Sequence, residues 1–194
     1  MTTRIACIAL ALALAACRDV QRSDLSITKV VPPPFTAASG TTGPSCTFDV
    51  NSDEFSYLPV NLSENLGNVA AVVANNIVDP STLNSQLRLN TATFLPHQAV
   101  VTYEVIGTGT APATPTIIPV SGAEVPAGSK GTVAVPVFAG ATLTASAGSY
   151  IRATFHIEGK LQDGSKVSTS EREYVFVVCA TAGCGQQGSW GTCL

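Results

Sequence analysis

The sequence predicts an all-β fold, an immunoglobulin-like β-sandwich of about seven or eight strands. Three observations carry this expectation. Charged residues make up only 12% of the chain, while Gly (16) and Pro (12) punctuate it often, a balance that suits a β-sandwich better than a helical bundle. Several short segments alternate apolar with polar residues, the period of a half-buried strand. Near the C-terminal end an Asp-Gly pair, Asp163-Gly164, separates two such segments, as in a β-hairpin.

The folded body is expected over residues 45–179. Cys46 to Val50 reads as a first short strand. Leu66 to Val78 is apolar without alternation; Val69, Val72 and Val73 together with Gly67 and Asn75-Asn76 favour a strand over a short helix. Gln86 to Phe94 alternates, with Leu87 and Leu89 on one face. Gln98 to Ile106 is the best central strand, with Ala99, Val101, Tyr103 and Val105 on one side. Thr116 to Val120 and Thr132 to Phe138 follow, and Pro119 and Pro136 push them toward edges or bulges. Tyr150 to Gly159 sets Ile151, Ala153, Phe155 and Ile157 against Arg152, Thr154, His156 and Glu158, and Val167 to Cys179 returns. A two-residue turn at Asp163-Gly164 sets Ile151 opposite Phe176 and Ala153 opposite Tyr174, both sensible core pairs. It also sets Phe155 opposite Arg172, a conflict that a bulge or a longer loop would relieve.

The first seventeen residues have a different logic. Arg4 precedes an unbroken apolar run, Ile5 to Ala16, that ends in Leu14-Ala15-Ala16-Cys17. A run of this length is too short to span a bilayer, which takes ~20 residues, and its placement is that of a secretory signal peptide. The small-residue ending before Cys17 resembles the lipobox of bacterial lipoproteins. The resemblance implies cleavage after residue 16 and lipid on Cys17, which would tie the protein to a membrane; ordinary signal cleavage nearby is the alternative. Arg18 stands where an Asp would favour inner-membrane retention, so the outer membrane is the expected destination. Residues 17–44 then read as a lipidated N-terminus and a tether, with Val30-Val31-Pro32-Pro33-Pro34 favouring extended polyproline conformation.

With Cys7 in the leader and Cys17 lipidated, four cysteines remain: Cys46, Cys179, Cys184 and Cys193. An even number in an oxidising compartment reads as two disulfides, with three connectivities open. The spacing of the last three matches no standard zinc finger. A bridge from Cys46 to a tail cysteine would close a loop worth ~4–5 kcal/mol in the chain-entropy model. Residues 180–194 form a Cys/Gly-rich tail that holds Trp190, the only tryptophan. Trp190 is either a constrained partner-contact residue or a plug over one end of the sandwich.

Candidate chemistry is thin. Asp49-Val50-Asn51-Ser52-Asp53-Glu54 opens like a calcium loop. Glu54 stands where glycine is needed, however, and Val60 where a bidentate carboxylate belongs, so a solvated acidic turn is expected. No Lys or Arg occurs between Lys29 and Arg88, which leaves an acidic half able to meet a cationic partner or simply to solubilise. His97 is placed in a loop, and His156 faces Glu171 as a surface cross-strand pair rather than a general base. There is no G-x-S-x-G elbow and no His-Glu-x-x-His helix. Gly107 to Thr110 and Gly128 to Thr132 lack the context of a nucleotide site. No cofactor, metal or catalytic residue is expected, and a net charge of −3 offers no footprint for nucleic acid.

Cys46, the segment Leu87-Arg88-Leu89-Asn90-Thr91, the run Gly159 to Gly164 and the closing Val177-Val178-Cys179 with Cys184 together resemble a group of lipoproteins common in myxobacteria. The resemblance implies an exported β-domain and brings no activity with it. The expected protein is a lipid-anchored, non-catalytic binding or structural module of the cell envelope, contacting an envelope protein or an external ligand. The alternative is a periplasmic assembly or secretion accessory protein that binds a client at a strand edge.

Overall fold

A computed structural model of the chain describes residues 24–31, 35–36, 45–46, 50–51, 53–54, 56–62, 67–77 and 92–180. Among these the regular structure is β1 (Leu25–Val31), β2 (Phe35–Thr36), β3 (Ser45–Cys46), β4 (Leu58–Val60), β5 (Asn68–Asn75), β6 (Phe94–Ile106) and β7 (Gly109–Thr110). It continues with β8 (Thr116–Pro119), β9 (Ser121–Gly122), β10 (Ser129–Pro136), β11 (Thr144–Ala145), β12 (Tyr150–Leu161), β13 (Lys166–Ser168) and β14 (Arg172–Val178). A four-stranded sheet in the order β1-β5-β10-β9 faces a six-stranded sheet in the order β4-β14-β12-β6-β8, with β13 beside β12. One apolar core lies between them. Leu25, Ile27, Val69, Val73, Val133 and Val135 meet Phe94, Val101, Ile151, Phe155, Ile157 and Phe176 there, all buried. The all-β sandwich expectation therefore holds.

The two sheets are written differently in the sequence. β12 alternates strictly, odd-numbered residues buried and the rest partly or fully exposed from Tyr150 to Lys160, as a strand with one wet face should. β5, Asn-Val-Ala-Ala-Val-Val-Ala-Asn, is buried at all eight positions. Its Val69, Ala71 and Val73 join the main core, while Ala70 and Val72 form a second cluster with Val31 and the partly buried Val50. A strand covered on both faces needs no alternation, so the region that read ambiguously is a buried central strand.

One expectation is corrected. Leu25–Val31, placed in the tether, is strand β1 of the four-stranded sheet. Its alternation is interrupted at Thr28 by a register shift between Ile27 and Lys29, which leaves Leu25, Ile27 and Val30 all facing the core. Broken alternation followed by three prolines resembles a spacer in sequence, yet burial of three aliphatic side chains fixes it to the sheet. The folded body thus includes Leu25–Val31, upstream of residue 45. β4 is also unforeseen: three residues around Pro59, joined to β14 in the parallel direction. The segment from Gln86 to Asn90 lies outside the described residues.

β6 runs four residues further back than expected. Its pairing with β12 slips between Glu158 and Gly159, so that Gly159 faces Pro96 and His97 is the extra residue, an irregularity that admits a proline. Gly159 is required there, since a Cβ would sit 2.2 Å from the Leu95 carbonyl oxygen and 2.6 Å from the Phe94 ring. Pro119 ends edge strand β8, whereas β10 lies inside its sheet and carries Pro136 only as its last residue.

The hairpin has both a longer loop and an extra residue, but the two cancel, so the pairing of Phe155 with Arg172 is kept rather than relieved. The loop spans Gln162, Asp163 and Gly164, with Gly164 at φ +87°, so β12 and β13 are offset by one residue from the two-residue register. An extra residue between β13 and β14 restores it, and Ile151 pairs with Phe176, Ala153 with Tyr174 and Phe155 with Arg172. Thr169 bridges the irregularity: its N–H donates to the Ile157 carbonyl (2.9 Å) and its Oγ1 accepts from the Ile157 N–H (2.9 Å).

Candidate functional site

The four large hydrophobic side chains that stand exposed among the described residues are Ile117 (63%), Tyr57 (57%), Tyr150 (47%) and Ile106 (42%). Strand alternation puts Ile106, Ile117 and Tyr150 on the outer face of the six-stranded sheet. Tyr150 lies between Ile106 of β6 and Val177 of β14, and Val177 adjoins Pro59 of β4, giving an apolar row across four strands. Tyr57 is exposed just before β4, whose Leu58 is buried opposite Phe176. Ile117 of β8 sits beside Val100, which in turn pairs with His156. Single exposed apolar residues need no explanation, but their concentration on one face does.

Charges are interleaved with these residues. Arg152, one step along β12 from the apolar row, bridges Glu104 Oε2 (2.9 Å) and Glu173 Oε1 (3.2 Å). Further along, His156 lies 3.5 Å from Glu158 Oε1 and 4.0 Å from Glu171 Oε1, and Gln98 Nε2 donates to Glu158 Oε2 (2.8 Å). The cross-strand pairing of His156 with Glu171 is as the sequence placed it. One residue before its end the strand carries exposed Lys160, paired with Lys166. Four carboxylates therefore stand with one guanidinium and one imidazole beside the apolar side chains, and the two lysines mark the opposite end.

Of the acidic turn, Asp49 and Ser52 lie outside the described residues. Among its described residues, Glu54 carries a specific set of contacts. Both carboxylate oxygens accept from Arg172 Nη2 (2.7 Å each), and Oε1 also accepts from the Val30 N–H (3.1 Å). Glu54 thus joins β1 of one sheet to β14 of the other, and its charge is what lets Arg172 stand opposite the buried Phe155. Tyr174, next on the same face of β14, is buried with its hydroxyl unpartnered. Burial, reinforced by the Glu54 charge, pushes the Tyr174 phenol up to about 12. Burial also raises Tyr103 to about 12, opposed by a hydrogen bond with Thr116, and its hydroxyl donates to the Val137 carbonyl.

The sheet edges are short or capped. On β1 the Leu25 carbonyl accepts from the Ser170 N–H (3.0 Å) and the Val30 N–H is held by Glu54. β4 has three residues and a proline at its centre, and β8 has four and ends in Pro119. Short edges carrying prolines offer few backbone donors to an added strand.

Of the residues singled out in sequence, Cys46 lies in β3, its backbone paired with Phe35 of β2. Cys179 follows β14 directly, and its N–H donates to the Val60 carbonyl (3.0 Å). Cys17, Cys184, Trp190 and Cys193 lie outside the described residues. His97 is exposed in the β6 irregularity, away from His156. Among the described residues no group of three or more His, Cys, Asp or Glu side chains is placed to hold a metal ion. Sequence reasoning identified the polar face of β12 but not the apolar row across it. That row takes its members from β4, β6, β12 and β14, so no local pattern announces it.

No protein-family model matches the chain, and comparison with curated proteins and solved structures finds no significant similarity.

Proposed function

We propose that this protein is a lipid-anchored component of the bacterial outer membrane that acts as a non-catalytic binding or structural module. Its contact surface is the outer face of the six-stranded sheet. One observation carries the reading: Ile106, Ile117 and Tyr150, all exposed, gather on that face, on strands whose opposite side is anchored in the core. A rigid sheet holds such side chains in place at little entropic cost on binding. Membrane attachment rests on the leader and Cys17, and two or more acyl chains would make it stable. The disulfide staple rests on the even number of cysteines left in an oxidising compartment, Cys46, Cys179, Cys184 and Cys193, and its connectivity is part of the proposal. The edge-binding accessory role draws less support, because the edges are short or capped.

The test places a photo-crosslinking amino acid at position 150 of the full chain in its native envelope, with position 130 on the other sheet as control. Discrete, reproducible adducts from 150 and not from 130 support the reading. Adducts from 130 alone, or from neither site, overturn it. Protease accessibility on intact and lysed cells, read with and without Cys17→Ala, tests the anchor and shows which side of the membrane the domain faces.

A further inference from the structure

We infer that the partner is a polypeptide segment in which apolar side chains alternate with arginine or lysine, seated with its basic part at the Tyr150 end of the sheet. This deepens the proposed contact role of the outer face and rests on it.

Three features argue for that chemistry. Beside the apolar row Glu104 and Glu173 outnumber the guanidinium of Arg152 that bridges them, so a cation gains and an anion loses on approach there. Tyr150 is exposed, and its partner Ile106 lies two residues from Glu104 on the same strand; a tyrosine ring face next to a carboxylate suits a guanidinium, which stacks and pairs at once. The face is also polar along its length. Tyr150 and Lys160 are ten residues apart on one strand, roughly 33 Å at the strand rise, and at the far end Lys160 and Lys166 offset Glu158 and Glu171. The partner's orientation follows from this.

The same polarity argues against a second copy of the chain. Stacked with strands in the same sense, two faces would join their apolar rows but oppose carboxylate to carboxylate. Stacked in the opposite sense, they would match charges but lay each apolar row on lysines. Neither arrangement satisfies both terms, whereas a basic, apolar segment does.

The probes are two synthetic peptides of equal length, one alternating leucine with arginine and the other leucine with glutamate. Each is titrated into the full chain carrying Cys17→Ser, with backbone amide shifts as the readout. The arginine peptide is expected to shift the amides of Glu104, Tyr150 and Arg152, and the glutamate peptide to leave them unmoved. The double variant Glu104→Lys/Glu173→Lys should weaken the arginine peptide at least tenfold, as should added salt. The milder Glu104→Gln/Glu173→Gln variant guards against misfolding and should weaken it severalfold. Equal binding of both peptides at this face would overturn the charge inference and leave the contact surface standing. Binding of neither, or shifts confined to the other sheet, would overturn both. Concentration-dependent shifts without peptide would make a second copy the occupant and reject the basic partner.

Discussion

The two sheets of this sandwich solve opposite problems. The four-stranded sheet has no wet face along β5, where eight consecutive residues are buried, so every side chain there serves the fold. The six-stranded sheet is buried on one side only, and its outer side carries exposed Tyr150, Ile106 and Ile117 among carboxylates. The contrast teaches where sequence freedom lies. Substitution on β5 is limited by packing from both directions, while the outer face of β6, β12 and β14 is free to be shaped by what it meets.

Placing the same residue on each sheet breaks this comparison most severely. Val72→Lys would bury an ammonium on the covered face of β5 and should cost on the order of 4 kcal/mol or more, enough to prevent folding. Thr102→Lys, on the wet face of β6 beside Glu104, should change stability by less than about 0.5 kcal/mol. Denaturant midpoints of the two variants read the difference. If they were similarly destabilised, the outer face would not be the solvated surface described here.

Next in size is Gly159→Val. The Cβ meets backbone and the Phe94 ring at under 3 Å, and overpacking of this kind costs about 1–3 kcal/mol or more. Asn75→Ala tests the joint at the end of β5. There Nδ2 donates to the carbonyls of Ala92 (2.8 Å) and Val125 (2.9 Å), and Oδ1 accepts from Ile77 (3.1 Å). Leaving these buried groups unpaired should cost about 1–3 kcal/mol, seen as a lower thermal midpoint.

Alkaline titration sharpens the picture of the inner face. Tyr103 and Tyr174 are raised from 10.0 to about 12 in the folded chain, so folding favours the neutral phenol. That contribution is complete below about pH 10 and is lost as pH rises from there to about 12. Stability should fall across this window, with tyrosinate absorbance from these two residues appearing together with unfolding. In Tyr103→Phe and Tyr174→Phe variants the loss should be smaller. A modest effect is expected from Glu54→Gln. The pair with Arg172 is partly exposed, and its removal should cost about 1 kcal/mol or less, read as a small shift in the denaturant midpoint.

Much of the fold was legible where the signal is local. Strict alternation identified β12 and its inward face, and the Asp163-Gly164 turn led to the observed pairing of Ile151 with Phe176. It did so although the loop is one residue longer, because the irregularity at Thr169 cancels the offset. β1 was not legible, since Thr28 breaks its alternation and three prolines follow. β4 was not legible either, because a three-residue parallel pairing to β14 depends on residues more than a hundred positions away. The same holds for the candidate site. The polar side of β12 could be read directly, but Ile106 and Ile117 become neighbours of that face only through long-range pairing. The sequence pointed instead to Trp190, which lies outside the described residues.

The central claim is that the outer face of the six-stranded sheet is covered by a partner in the native envelope. Hydroxyl-radical footprinting of the tyrosines tests it most directly, comparing the purified full chain with the same chain in intact envelopes. Tyr103, half-buried, and Tyr174, buried, serve as internal references that change little between the two. The account predicts that Tyr150 is oxidised readily in the purified protein and is protected several-fold in the envelope. Equal oxidation of Tyr150 in both settings would contradict it.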